Sequence, residues 1–407
     1  MRRFCLAFLL TFAPALALSA ADWPQFLGPN RDGHSAETKL NWDWTGGGPP
    51  VAWKLDIGTG WAGPVVAGER LILFHRVGAE EIVACLDPMN GKEKWTFRYP
   101  TKYSDDFGFD DGPRATPLIA ENRIFILGAN GDLHAIELAS GQKLWHRNLR
   151  ADYAAPKGFF GVACSPLLAG GKLLVNVGAK GAGIVAFDPA TGKEAWKATD
   201  DPASYSSPTV AEIGGKTLAV FLTREGLVAL EPETGKVRFT HPWRPRLNES
   251  VNAATPLVWK DEIFLSVSYS TGGILLRAKG DALEEVWSND RSLSCHYNTP
   301  VRVGEYLYGV HGRQEGGGAK LRCVEWKTGA VKWSVDRFGV ASLLAVDGGL
   351  LALTEAGELI RFDASPDAFR ERGRAAILGS PTRAAPALAD GRLFARDGGK
   401  LVCVKLK

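Results

Sequence analysis

The segment IVAFDPATGKEAW at 184–196 returns in variant form along most of the chain. Its relatives are IVACLDPMNGKEKW (82–95), LHAIELASGQKLW (133–145), LVALEPETGKVRF (227–239), LLRAKGDALEEVW (275–287) and LRCVEWKTGAVKW (321–333). Each passes from apolar residues through an acid and a turn to a large aromatic. The closing aromatics Trp95, Trp145, Trp196, Phe239, Trp287 and Trp333 are 50, 51, 43, 48 and 46 residues apart. A period of about 40–50 residues marks a unit that cannot bury its own faces and must stack on copies of itself. That overrides the two or three domains that 407 residues would otherwise suggest.

One unit, 163–196, reads as four short strands separated by Gly, Pro and Asp clusters, an antiparallel meander. In its last turn the Asp188 carboxylate can accept backbone amides, Pro189 fixes φ, and Gly192 can take the positive φ that ends the loop. Gly91, Gly141, Gly235 and Gly329 recur at the same place. Eight strand-opening segments can be counted: Gly63-Pro64, Thr116-Pro117, Ser165-Pro166, Ser207-Pro208, Thr255-Pro256, Thr299-Pro300, Ser342-Leu343 and Ala385-Pro386. The last unit ends at LVCVKLK (401–407) without its aromatic strand, and Val51-Ala52-Trp53-Lys54 supplies the missing one. The expected fold is therefore all-β: an eight-bladed β-propeller of four-stranded antiparallel blades, closed by an N-terminal strand so that no sheet edge is left open. Trp53, Trp95, Trp145, Trp196, Phe239, Trp287 and Trp333 are the expected docking residues between blades. Two units depart from the pattern. Blade five has Ala282-Leu283 in place of the Thr-Gly turn. Blade seven carries SPDAFRERGRA (365–375), where Ser365 as N-cap and Pro366 predict a short helix.

The start, MRRFCLAFLLTFAPALALSAADW, has a charged beginning, an apolar stretch and small residues, and reads as a secretory signal over 1–20, cleaved near Ala20 or Ala21. A lead at 21–50 and one domain at 51–407 follow. No other apolar run approaches the roughly 20 residues that cross a bilayer. A periplasmic or secreted monomer is expected. The net charge of +3, without a basic run, gives no sign of nucleic acid, and none is expected as a partner. Of the cysteines beyond the signal, Cys85, Cys323 and Cys403 fill the small slot that Ala135, Ala186 and Ala229 fill elsewhere, so they read as small buried hydrophobes. Equivalent slots of different blades lie too far apart for a disulfide.

Ala-x-Asp-x-x-Thr-Gly-x-x-x-Trp, met in full at Ala186–Trp196 and in variants from Cys85, Ala135, Ala229 and Cys323, resembles the docking motif of the quinoprotein-type (PQQ-like) eight-bladed propellers. The resemblance covers nearly all of 51–407. It implies either PQQ- and Ca²⁺-dependent dehydrogenase chemistry or a non-catalytic role such as that of the propeller lipoprotein of the outer-membrane β-barrel assembly machinery. The dehydrogenases are usually longer and clamp their quinone under a disulfide of adjacent cysteines; no two cysteines here are adjacent. The lipoprotein carries a lipidated cysteine at its cleavage site; Cys5 lies inside the signal.

In such propellers the connections between blades gather at one mouth of the channel. Here they include YPTKYSDDFGFDDGPRATP (99–117), GFFGVACSP (158–166), ESVNAATP (249–256) and CHYNTP (295–300). Candidate ligand contacts are Trp61, Asp110, Arg114, Phe160, Glu249, Asn252, His296 and Asn298. Asp105, Asp106, Asp110 and Asp111 read as a solvated acidic loop that Arg114 neutralises, and their spacing is not that of an EF-hand. His311 and Arg313 follow a strand of blade six. No nucleophile elbow, P-loop, HExxH or dinucleotide fingerprint occurs. The expectation is a non-catalytic exported propeller that binds a protein partner or small ligand at its mouth. The alternatives are a PQQ/Ca²⁺ oxidoreductase of alcohols or sugars, and a carbohydrate-binding propeller using Trp61, Tyr103, Phe159, Phe160 and Tyr297.

Overall fold

The computed structural model describes residues 22–44, 47–248 and 250–407. The signal expected over 1–20 lies outside them. The described residues form eight four-stranded antiparallel sheets, one per blade, seven of them with strands in sequence order. The eighth takes Ala387–Ala389, Arg392–Arg396 and Lys400–Lys405 from the end of the chain and Val51–Asp56 from its start. Trp53 sits opposite Cys403 in that closing pair, so the ring shuts through the N-terminal strand.

The register explains the motif. Five closing aromatics face a small residue on the neighbouring strand: Cys85 opposite Trp95, Ala135 opposite Trp145, Ala186 opposite Trp196, Ala229 opposite Phe239, and Cys323 opposite Trp333; Trp287 of blade five faces Leu275 instead. A small side chain there leaves room for the ring laid across the strand. The cysteines in this slot are buried and unpaired, and burial pushes the Cys85 thiol up to about 11, which keeps it an inert thiol.

Each indole also reaches the next blade. Trp53, Trp145 and Trp196 donate Nε1–H to the carbonyls of Pro88, Pro189 and Pro232 at 3.1, 3.0 and 3.0 Å. The ring lies on that blade's turn glycine. A Cβ on Gly192 would stand 2.7 Å from Trp145, and Gly192 has φ +69°, which disfavours any side chain. The blades are thus coupled by one hydrogen bond and one flat contact, repeated around the ring.

Where the motif fails, other residues take its place. The Phe239 ring has no N–H to donate, and blade five turns through a two-residue hairpin, Gly280-Asp281, between Lys279 and Ala282. In blade six the docking carbonyl belongs to Trp326, bound by Trp287 at 2.8 Å. The helix expected from Ser365 in blade seven does not form. Trp333 Nε1 donates to the Ser365 carbonyl at 2.9 Å, the group that would accept the first intrahelical bond. Phe369 packs against Trp333 and Phe362, and Glu371–Ala376 runs on as the outer strand. That strand lacks a tryptophan. Trp44 of the lead packs on Gly373 and joins the core shared by blades seven, eight and one.

The lead crosses the inside of the ring. Trp23 bridges to Val66 of blade one, Pro24 O accepts from Ile119 N of blade two, and His34 bridges to Ala345 of blade seven. Between them Arg31, fully buried, donates to the carbonyls of Pro208 (2.8 Å) and Pro166 and to Gln25 Oε1 (2.8 Å). One arginine thereby ties the lead to blades three and four from within the channel. No described helix is long and apolar enough to cross a membrane.

Candidate ligand site at the propeller mouth

The segment that opens each blade repeats with a fixed register to its proline. The residue just before the proline builds a belt. Gly63 N donates to Thr116 Oγ1 (3.0 Å), Thr116 N to Ser165 Oγ (2.9 Å), Ser165 N to Ser207 Oγ (3.0 Å), and Thr255 N to Thr299 Oγ1 (2.9 Å). Each hydroxyl satisfies a buried amide of the preceding blade, which is why Ser and Thr recur there.

The residue three before the proline points to a different use. In blades one to six and eight it is Trp61, Arg114, Ala163, Tyr205, Ala253, Tyr297 and Arg383. All of these border one cavity of about 340 Å³, and Phe26 and Leu27 of the lead border it too. The lead thus forms part of the cavity wall.

Its electrostatics are arranged in pairs. The Arg114 guanidinium lies 4.8 Å and that of Arg383 4.7 Å from the centroid of Trp61, an electrostatic attraction to the ring face. Arg114 donates to Asp105 Oδ2 at 2.7 Å, and that pair is almost wholly buried. Arg383 donates to Glu355 Oε1 at 2.6 Å. Arg313, 4.2 Å from the Tyr269 ring, holds both oxygens of Glu315 at 2.8 and 2.9 Å. Each mouth arginine is therefore matched by its own carboxylate.

His296 is held on both sides. Its Nδ1 lies 2.7 Å from Gln314 Oε1 and its Nε2 2.7 Å from the Tyr269 hydroxyl. Burial lowers its pKa, so the ring is neutral, with Nδ1–H donating to Gln314 and Nε2 accepting from Tyr269. Tyr269 itself has φ +62°, a rare conformation for a bulky residue, stored where the cavity is walled. Asn298, buried and also bordering the cavity, has neither its Nδ2 nor its Oδ1 hydrogen-bonded.

A family model described as outer membrane protein assembly factor BamB matches residues 79–335. The chain belongs to this family. BamB of Burkholderia pseudomallei is 28% identical over 127 residues, 31% of this chain and 29% of that protein. The quinohemoprotein alcohol dehydrogenase ADH-IIG of Pseudomonas putida is 26% identical over 178 residues, 41% of this chain and 24% of that enzyme. The matched stretch thus spans less than a third of these curated relatives. Among solved structures, BamB from Moraxella catarrhalis superposes with a TM-score of 0.64 at 15% identity, covering 88% of this chain and 98% of that one. The quinohemoprotein alcohol dehydrogenase of Comamonas testosteroni gives 0.65 at 15%, covering 95% and 80%. At such identities both show the shared fold.

Within this BamB-family propeller the residues singled out from sequence separate into two groups. Trp61, Arg114, Phe160, His296 and Asn298 border the cavity. Asp110 and Asn252 do not. Asp110 accepts from Gly60 N (3.2 Å) and Gly112 N (2.6 Å) and shapes its own loop. Asn252 is fully buried and donates to Thr223 O at 2.8 Å. Glu249 lies outside the described residues. The acidic loop is less solvated than its composition suggests: Asp105 is buried, and it accepts from Arg114, Phe107 N (2.9 Å) and Asp110 N (3.2 Å). His311 accepts from Ser294 N at 3.2 Å through Nδ1 and stands away from the cavity wall. Tyr205, Tyr269 and Arg383 were not singled out. The first and last were detectable, since they share the register slot of Trp61 and Arg114.

The donor set does not fit a calcium-bound quinone. Pyrroloquinoline quinone is a polycarboxylate and needs uncompensated cations, whereas each mouth arginine already holds a carboxylate. Asp105 is committed to Arg114 and backbone amides, and the Asn252 carboxamide donates to the Thr223 carbonyl away from the cavity.

Proposed function

We propose that this propeller is an exported, non-catalytic scaffold that binds a partner protein or a small ligand in the cavity at its mouth. The observation that carries the reading is the divergence within one register slot. The same position holds Trp, Arg, Ala and Tyr in different blades, all bordering one cavity, while the outer docking slot is aromatic in every blade but the seventh. A fold that repeats a position for stability keeps it alike. Unlike residues converging on a concave, largely apolar pocket mark a binding site. Phe107 and Phe109, about half exposed at 51% and 53%, stand on the rim beside Phe160 and extend the apolar surface outward, a feature of surfaces that meet partners. Export rests on the leader read over 1–20, and the family name of an assembly factor is in keeping with a partner-binding role.

Calorimetric titration with pyrroloquinoline quinone, with and without Ca²⁺, tests the non-catalytic part: no saturable heat and no alcohol oxidation are expected. Turnover of alcohols or sugars with added quinone and Ca²⁺ would sink it. A photo-crosslinking residue at Phe109 tests the location. Adducts formed in the cell envelope from that position, and none from exposed Val331 of blade six's outer strand, are the expected pattern; equal yields from both would remove the mouth as the binding face.

A further inference from the structure

Asn298 breaks a rule that every comparable blade keeps. The residue two before the proline is Ala62, Ala115, Cys164, Ser206, Ala254 and Ala384 in the other blades with this segment. The slot is buried and asks only for a small side chain. Blade six places a carboxamide there, 4% exposed, with its donor and its acceptor both unpartnered. Leaving such a group unsatisfied costs about 1–3 kcal/mol, and nothing in the blade's packing requires it. Asn298 therefore reads as a group kept for something that enters the cavity it borders.

We propose that the mouth cavity recognises a neutral saccharide, with Asn298 bridging two neighbouring hydroxyls; the proposal rests on the mouth-binding reading above and names its ligand class. Three features point to a neutral polyol over an anion or a cation. The arginines are each neutralised, by Asp105, Glu355 and Glu315, so the cavity has no surplus charge with which to select an ion. At the cavity wall the Arg313–Glu315 pair sets donors and acceptors side by side, and Asn298 adds a carboxamide with both groups unpartnered. A hydroxyl is both donor and acceptor, so a vicinal diol can accept from Nδ2–H and donate to Oδ1 at once. The walls between the pairs are aromatic, with Trp61, Tyr205, Tyr269 and Tyr297 among the lining residues. The C–H face of a pyranose, slightly positive, suits the negative face of such rings. A volume of about 340 Å³ is at the small end of ordinary ligand clefts, about 300–1,000 Å³, with room for a mono- or disaccharide.

The test is calorimetry of the folded protein with cellobiose, maltose and N,N′-diacetylchitobiose, followed by Asn298→Ala and Trp61→Leu. Saturable binding of at least one disaccharide is expected, weakened about tenfold or more by Asn298→Ala and also weakened by Trp61→Leu, with the thermal midpoint of Asn298→Ala held or raised. Flat titrations with all three sugars, or binding indifferent to both substitutions, would overturn the saccharide proposal. Repeating the titrations with pyrroloquinoline quinone and Ca²⁺ separates the two readings. Sugar binding without oxidation supports both. Sugar oxidation keeps saccharide recognition and overturns the non-catalytic scaffold. Silence towards sugars, together with crosslinks from Phe109 to an envelope protein, overturns the saccharide and leaves the scaffold standing.

Discussion

The outer rim and the mouth of this propeller come from one repeat but follow opposite rules. On the rim, a fixed position holds an aromatic in blade after blade, its N–H bound to the next blade's turn and its face on a glycine. At the mouth, another fixed position holds Trp61, Arg114, Ala163, Tyr205, Ala253, Tyr297 and Arg383. Stacked blades are stabilised by nearest-neighbour interfaces, so the rim gains from uniformity. The mouth faces a cavity shared by nearly all blades, where each position meets a different part of the space. Uniformity in a repeat therefore reports on stability, and variation at a constant register reports on recognition.

The strongest way to break that contrast is to remove a rim contact and look for an effect at the mouth. Trp145 is half-buried, packs against Phe125 and Gly192 and donates to Pro189. Trp145→Ala is expected to cost about 3 kcal/mol in urea unfolding, from lost burial, a cavity and an orphaned carbonyl. Gly192→Ala, which forces a Cβ toward the same ring at positive φ, should also destabilise, by about 1–2 kcal/mol. Because both disturb one contact, the double variant should lose less than the sum of the two. Full additivity would mean that ring and glycine do not act as a unit. Crosslinking from Phe109 should survive in either variant wherever the fold does.

A second effect, of about 2 kcal/mol, lies in a polar flaw at the junction of blades one and two. His134 is buried between Tyr99 and His146, ring centroids 4.3 Å away in each case, and neither of its nitrogens has a hydrogen-bond partner. Burial first, then the neighbouring His146, lowers its pKa to about 3. With the folded value depressed below the ordinary value of about 6.5, the stability is complete above pH 6.5. It falls as the pH drops below that, because the unfolded chain takes up a proton the folded one refuses. The slope is about 1.4 kcal/mol per pH unit. His75, lowered to about 4 by burial and Arg396, acts in the same direction. Thermal unfolding at pH 6.5 and pH 4.5 should therefore show a smaller loss for His134→Phe than for the parent. Equal losses would show that His134 does not set the acid limb. His296 at the mouth also has a lowered pKa, yet it keeps partners on both nitrogens.

The same division governs how much the sequence discloses. The ring, its closure through Trp53 and the small slot opposite most of the aromatics are legible because repetition averages over local exceptions. Trp44 and Arg31 were not legible, since the lead lies outside the repeat and its contacts run to distant blades. Arg383 and Tyr205 were legible only by aligning to the proline: loop composition drew attention to the long aspartate-rich segment, whereas Arg114-Ala-Thr-Pro and Arg383-Ala-Ala-Pro share a register with Trp61-Ala-Gly-Pro. Tyr269 and Arg313 enter from connections between second and third strands, which the repeat leaves free. The helix read from Ser365-Pro366 failed because a local capping signal competed with a tertiary bond, Trp333 to the Ser365 carbonyl, and the tertiary bond won.

The smallest effect is the most discriminating, because it should change sign between the two regions. A rim residue truncated to alanine loses packing and a satisfied hydrogen bond. Asn298, at the mouth, has no hydrogen bond to lose, and alanine is what four other blades carry at its slot, as Ala62, Ala115, Ala254 and Ala384. Asn298→Ala removes a buried, unsatisfied donor and acceptor at the expense of a small volume. It is expected to leave the protein as stable as the parent or to stabilise it by about 1 kcal/mol, read as an unchanged or raised urea midpoint with unchanged slope. Stability retained with ligand binding weakened would place Asn298 on the recognition side of the contrast. A loss of 2 kcal/mol or more would instead make it a structural residue like the rim tryptophans, and the distinction between uniform and variable slots would have to be redrawn for blade six.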